Sequence, residues 1–138
     1  TRVRSSAASD VYKRQTLVCA TGGRIDHMLA NLSLLEEAYA MGGHLTVLDR
    51  QNRIVLHEGG CRKFKMPAEY RYFSLVPLDA ALHGVTIENA KYPLQDATVT
   101  RAGMVTISNE AAANEIVTVE IRDGRALVIF SRDFDRAL

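Results

Sequence analysis

Arg24 and Asp26 flank Ile25, directly behind Gly22-Gly23 and at the start of a stretch with helical periodicity. The apolar run Leu17-Val18-Cys19-Ala20 precedes the glycines, so the order reads strand, glycine turn, helix N-terminus. A helix N-terminus presents unpaired backbone N–H groups and a partial positive charge, which suits a phosphate. Gly22 and Gly23 let the backbone come close to such a ligand. The Arg24 guanidinium can grip phosphate oxygens as a fork. Asp26 can ligate Mg2+ or take a proton. The bland alternatives are a surface arginine capping the turn and a first-turn acid that stabilises the helix dipole. His27 reads more readily as a packing or hydrogen-bonding residue than as an acid–base group. Asn31 lies one turn beyond His27 on the same face and can reach a ligand held at the helix mouth.

The elements that position these groups follow from periodicity. Thr16 to Ala20 is a short apolar strand of the kind buried in an α/β sheet. The spacing of Ile25, Met28, Leu29, Leu32, Leu35 and Tyr39 predicts a helix from about Arg24 to about Met41, with that stripe in the core. Gly42-Gly43 stops it. His44 to Asp49 and Arg53 to His57 alternate as a hairpin around Arg50-Gln51-Asn52. After Gly59-Gly60 no helical pattern recurs. Strands are expected at Lys63–Met66, Tyr70–Val76, Gly84–Glu88, Ala97–Thr100, Met104–Ile107, Ile116–Arg122 and Ala126–Ser131, with Asp123-Gly124 as a hairpin turn. The fold class is therefore α/β followed by all-β: the end of an α/β layer (strand, helix, hairpin) up to residue 60, which the resemblance given below makes nucleotide-binding, then a small antiparallel β-sandwich over 61–138.

Residues 1–15 read as a non-native tail, because Arg2, Arg4, Lys13 and Arg14 stand in a stretch with little periodicity and no apolar leader core. That leaves 16–60 as the C-terminal portion of an α/β domain. The net charge of +1 supplies no global attraction to nucleic acid or anionic membrane. No apolar run reaches transmembrane length. Cys19 and Cys61 are far apart with no metal-ligand spacing, and Cys19 inside a strand reads as a small buried hydrophobe, which favours a reducing, cytoplasmic setting. His44, His57 and His83 are scattered, so no histidine metal site is expected.

Four blocks taken in order resemble the C-terminal part of bacterial-type thiamine pyrophosphokinases. They are Gly22-Gly23-Arg24-Ile25-Asp26-His27 with Leu29-Ala30-Asn31-Leu32; Phe73-Ser74-Leu75-Val76-Pro77-Leu78; Lys91-Tyr92-Pro93-Leu94; and Ser108-Asn109-Glu110 with Leu127-Val128-Ile129-Phe130-Ser131-Arg132-Asp133. The resemblance spans about Thr16 to Asp133. It implies transfer of the pyrophosphoryl group of ATP to the hydroxyl of thiamine, giving thiamine diphosphate and AMP. It further implies Mg2+, and a homodimer with the active site between subunits.

On this resemblance Arg24 and Asp26 are catalytic, with Asp26 also a metal ligand. Gly22, Gly23, Arg24 and His27 hold nucleotide, and Asn31, Ser74, Ser108, Asn109 and Glu110 hold thiamine. Lys91-Tyr92-Pro93-Leu94 is read as structural, with Pro93 fixing a strand edge. Two departures stand out. Ala111 replaces the phenylalanine that usually follows the glutamate. The Gly-Asp-Phe-Asp-Ser-like block that supplies most metal contacts upstream has no counterpart in these 138 residues, so this chain alone is expected to turn over little. The uncovered strand and helix are also expected to expose apolar surface. The rival classes are a non-catalytic thiamine-binding or dimerisation module and a phosphotransferase acting on another alcohol. The pair Arg24 and Asp26 argues against the first, and Ser108-Asn109-Glu110 against the second.

Overall fold

The computed structural model describes residues 13–18, 24–103 and 105–134. Gly22, Gly23, Cys19 and nearly all of the segment expected to be a non-native tail lie outside the described residues. The described residues form nine strands and one helix, a mostly β fold, and the chain divides between Leu56 and His57 into two compact units.

The first unit is a β-α-β arrangement followed by a hairpin. Strand β1 (Lys13–Val18) begins three residues earlier than the sequence pattern suggests and runs parallel to β2 (Gly43–Leu48). Helix α1 (Ile25–Ala40) supplies the crossover that a parallel pair requires. At its end the Gly42 N–H donates to Tyr39 O at 2.9 Å, and Gly42 sits at φ +80°, the left-handed geometry that glycine adopts without cost. Strand β2 turns antiparallel into β3 (Asn52–His57). Asp49 makes that turn, since its Oδ1 accepts the N–H groups of Gln51 at 2.8 Å and Asn52 at 2.7 Å.

The helix departs from the expected core stripe. Leu35 is buried, but Ile25 and Leu29 are 67% and 59% exposed, and Tyr39 and Met41 are exposed too. Val18 at the end of β1 is 68% exposed. The periodicity correctly marks a helix, yet within these residues only part of its apolar face finds something to cover it.

The second unit is antiparallel throughout. One layer is a four-stranded sheet of order β4 (Gly60–Lys65), β8 (Ile116–Asp123), β6 (Ala81–Glu88), β7 (Leu94–Thr100). A second layer is formed by β5 (Tyr72–Pro77) paired with β9 (Ala126–Ser131). The layers meet through aromatic rings. Phe64 on β4 packs edge-on against Phe73 at 5.3 Å and Phe130 at 5.1 Å between centroids. Around them Leu75, Leu82, Val85, Ile87, Val117, Val119 and Ile121 are fully buried.

Two expectations fail here. Asp123-Gly124 does not close a hairpin, because β8 pairs with β4 and β6 whereas β9 pairs with β5. Gly124 instead carries the chain between layers at φ +115°, where an added Cβ would lie 2.8 Å from Leu82 Cδ2. The described part of Met104–Ile107 is turn rather than strand. It still shields an edge of β5: Leu75 N–H donates to Thr106 O, Thr106 Oγ1 donates to Leu75 O, and Phe73 and Asn109 exchange both backbone bonds at 2.9 Å. Ser108, at φ +59°, bends the segment out of extended geometry before a full ladder can form.

Candidate functional site

The candidate residues fall into two groups, one in each unit. In the first unit, Arg24 is the residue before the helix, with extended backbone, and its side chain caps no helix N–H. Its guanidinium instead reaches Asp26 Oδ2 at 2.6 Å. The other Asp26 oxygen accepts the His27 N–H at 2.9 Å, which satisfies one of the helix's unpaired donors. Arg24, Asp26 and His27 are exposed and Asn31 is half-buried. A cation and an anion thus stand together at a helix mouth, open to solvent. Asp26 is a single carboxylate, and among the described residues no three His, Cys, Asp or Glu side chains lie close enough together to hold a metal. These residues by themselves do not make a Mg2+ cage.

The second group is brought together by folding. Ser74 lies on β5 and Ser108, Asn109 and Glu110 on the segment that shields its edge. Ser74, buried, accepts the Ser108 N–H at 2.9 Å through Oγ and so sets the bend at Ser108. The Asn109 side chain is buried and clamps one residue of a neighbouring segment: Oδ1 accepts the Tyr92 N–H and Nδ2 donates to Tyr92 O, both at 2.9 Å. The same Oδ1 also accepts the Glu110 N–H at 2.9 Å. Its carbonyl oxygen is therefore occupied by backbone. The bonds Lys91 N–H to Glu110 O and Ala112 N–H to Asn89 O, each 2.8 Å, complete the lacing of 89–92 to 109–112.

The Glu110 carboxylate sits between two cations. Arg71 Nε donates to one oxygen at 3.1 Å, and Lys91 Nζ lies 3.4 Å from the other. The Arg71 hydrogen bond, reinforced by Lys91, holds the Glu110 carboxyl below its ordinary range. Hydrogen bonding to Glu110 likewise raises both cations. Lys91 also stands 5.4 Å from the centroid of the exposed Tyr92 ring. A cavity of about 500 Å3 opens beside this segment, lined by residues 86–89 and 93–95, and none of Ser74, Ser108, Asn109 or Glu110 lines it.

Sequence reading missed Arg71 and left Lys91 inside a block treated as structural. Arg71 is 39 positions from Glu110, and nothing local announces the pair. Arg71 lies just before β5 and Glu110 in a loop, so no cross-strand pattern in the sequence marks the pair.

Comparison with known proteins bears on this second group directly. Residues 62–125 match the family model for the thiamin pyrophosphokinase vitamin B1 binding domain. Over this region the chain is similar to thiamine pyrophosphokinases. It is 33% identical over 90 residues to thiamine pyrophosphokinase of Bacillus subtilis, a match that covers 65% of this chain and 42% of that protein. The crystal structure of the Bacillus subtilis enzyme superposes with a TM-score of 0.83 at 29% identity, over 88% of this chain and 57% of that one. That of Geobacillus thermodenitrificans gives 0.78 at 31% identity, over 90% and 56%. The chain spans about half the length of the relatives it matches, and the match corresponds to their C-terminal part. The matched region contains Ser74, Lys91, Asn109 and Glu110, and so the whole laced pair of segments.

Proposed function

We propose that this chain is the C-terminal part of a thiamine pyrophosphokinase, which transfers the pyrophosphoryl group of ATP to the hydroxyl of thiamine. The single observation that carries this reading is the vitamin B1 binding domain over 62–125. In the reaction the thiamine hydroxyl oxygen forms a bond to the β-phosphorus of ATP. The bond from that phosphorus to the α-phosphate oxygen breaks, and AMP leaves. Little covalent chemistry is asked of the protein, so positioning and charge neutralisation dominate.

Arg24 fits the second task, as an exposed guanidinium at a helix N-terminus beside Gly22 and Gly23. Asp26 fits the orientation of the hydroxyl, and as a Mg2+ ligand it would supply one carboxylate among several needed. His27 and Asn31 extend the same face toward nucleotide and thiamine respectively. In the second unit Ser74, Ser108 and Asn109 belong to the wall for thiamine, and Glu110 stands behind it, paired with Arg71 and Lys91. An aminopyrimidine asks for a few fixed polar groups in an otherwise apolar setting, and this loop supplies them already ordered. The first unit as nucleotide layer, the second as thiamine sandwich, a homodimer and a cytoplasmic setting belong to the same proposal. Among the described residues no helix is long and apolar enough to cross a membrane.

The test is AMP formation from ATP and thiamine by a chimera that joins this chain to the corresponding N-terminal residues of the Bacillus subtilis relative. Arg24→Ala and Asp26→Ala should each lower kcat by about 10²–10³ while leaving thiamine binding intact. Unchanged turnover in both variants would remove Arg24 and Asp26 from the catalytic role. A non-catalytic binding module predicts no AMP at all.

A further inference from the structure

We propose that Glu110 is a positioning residue: by ion-pairing with Arg71 and Lys91 it locks the 108–110 loop against the 89–92 segment, and so sets affinity for the organic substrate without touching it. The proposal rests on the thiamine reading above.

Three observations carry it. First, the carboxylate is already engaged on both oxygens, by Arg71 at 3.1 Å and Lys91 at 3.4 Å. Two cations at these distances already compensate its charge, so a substrate amine gains less from it than from a carboxylate with no counter-charge beside it. Second, its two cations come from different places. Arg71 immediately precedes β5, and Lys91 lies in the segment between β6 and β7. The one carboxylate therefore ties three stretches of chain together at a point where no regular ladder does so. Third, the backbone bonds around it are those that fix the loop. Lys91 N–H donates to Glu110 O, and the Glu110 N–H is held by Asn109 Oδ1, the atom that also holds Tyr92. Loosening Glu110 loosens the clamp of Asn109 on Tyr92, and with it the exposed Ser108, whose left-handed backbone persists only while its surroundings impose it.

The charge, and not merely the shape, of Glu110 is the property in use. Glutamine occupies the same volume and can still accept from Arg71, but it gives the two cations no counter-charge. The two readouts are backbone hydrogen exchange in the free 138-residue chain and thiamine binding by calorimetry. In Glu110→Gln the amides of Lys91, Tyr92 and Glu110 should exchange roughly tenfold faster, while those of β8 and β9 hold their wild-type rates. The thiamine Kd should rise roughly tenfold. Glu110→Asp, which keeps the charge, should recover part of both effects. Adding Arg71→Gln to Glu110→Gln should change little further, because the counter-charge is already lost.

A weaker Kd with unchanged exchange at Lys91 and Tyr92 would overturn the proposal, since Glu110 would then act by direct contact. Faster exchange with an unchanged Kd would overturn it in the other direction, because the order of the loop would not matter to binding. Absence of thiamine binding by the wild-type chain would count against the thiamine reading itself. The exchange measurement would still decide whether Glu110 holds the loops.

Discussion

The helix mouth at 24–31 and the laced loops at 89–92 and 108–112 are both candidate sites, but they are built in opposite ways. At the mouth, one ion pair and one backbone bond order the charged groups, all in solvent, on a helix whose apolar face is partly bare. At the loops, a buried asparagine, a buried serine and a doubly paired carboxylate fix the backbone from several directions. The difference is one of self-sufficiency. Buried polar groups must be satisfied internally, so a loop that satisfies them is rigid before any ligand arrives. An exposed ion pair contributes little to stability and can be given up to a phosphate or a metal at small cost. Recognition of an organic ring gains from the first design, and transient handling of phosphate charge from the second.

The sharpest way to test this contrast is to remove one large apolar side chain from each unit. Phe73→Ala should cost about 3–5 kcal/mol, read as a fall in the urea midpoint, because the ring is fully buried and meets Phe64 edge-on. Leu29→Ala should cost less than about 1 kcal/mol, because that side chain is mostly exposed. Equal costs would mean that the helix face is covered in solution.

Next in size is the clamp. Asn109→Ala leaves the Tyr92 N–H and C=O without partners and should cost about 1–3 kcal/mol by equilibrium unfolding. A cost near zero would show that water replaces the side chain and that the loop is not preordered.

A third test uses pH. His57 is fully buried; Gly59 N–H donates to its Nδ1 at 3.1 Å, so the proton sits on Nε2, 3.4 Å from Val119 O. Burial lowers its pKa from 6.5, so the folded state favours the neutral ring. The unfolded chain then binds more protons than the folded one as pH falls through 6.5, and stability declines from there toward acid. His57→Gln should flatten that slope over this interval. Glu110 acts at lower pH with the same sign, since its lowered carboxyl contributes stability that is lost as pH falls through its folded value.

The smallest effect is expected at the mouth: Arg24→Ala and Asp26→Ala should each change unfolding free energy by less than about 0.5 kcal/mol.

How far the sequence foretold these features depends on the range of the interaction. The helix, its glycine stop and the strand at Ala126–Ser131 are written in local periodicity, and they were legible to within a residue or two. The layer change at Gly124 was not, because a glycine turn has the same local signal whether the next strand pairs with the last one or leaves it. The turn at 105–107 was misread because Val105, Thr106 and Ile107 carry strand propensity, and the bend at Ser108 comes from Ser74, 34 positions away. In the site, Ser108-Asn109-Glu110 was legible as a motif, but what each side chain does was not. Asn109 serves the backbone of Tyr92, and Glu110 serves Arg71 and Lys91, partners that only folding brings within reach. Val18 lies exposed, as expected of a strand with apolar surface to spare, whereas Ile25, placed in the core by its helical spacing, is exposed as well.

The central claim is that the second unit carries a formed thiamine site. The most direct measurement is a calorimetric titration of the 138-residue chain with thiamine, first without and then with ATP and Mg2+. The account predicts saturable binding in both, with no AMP formed by this chain. Heat indistinguishable from dilution, in a chain whose β8 and β9 amides are protected from exchange, would contradict it.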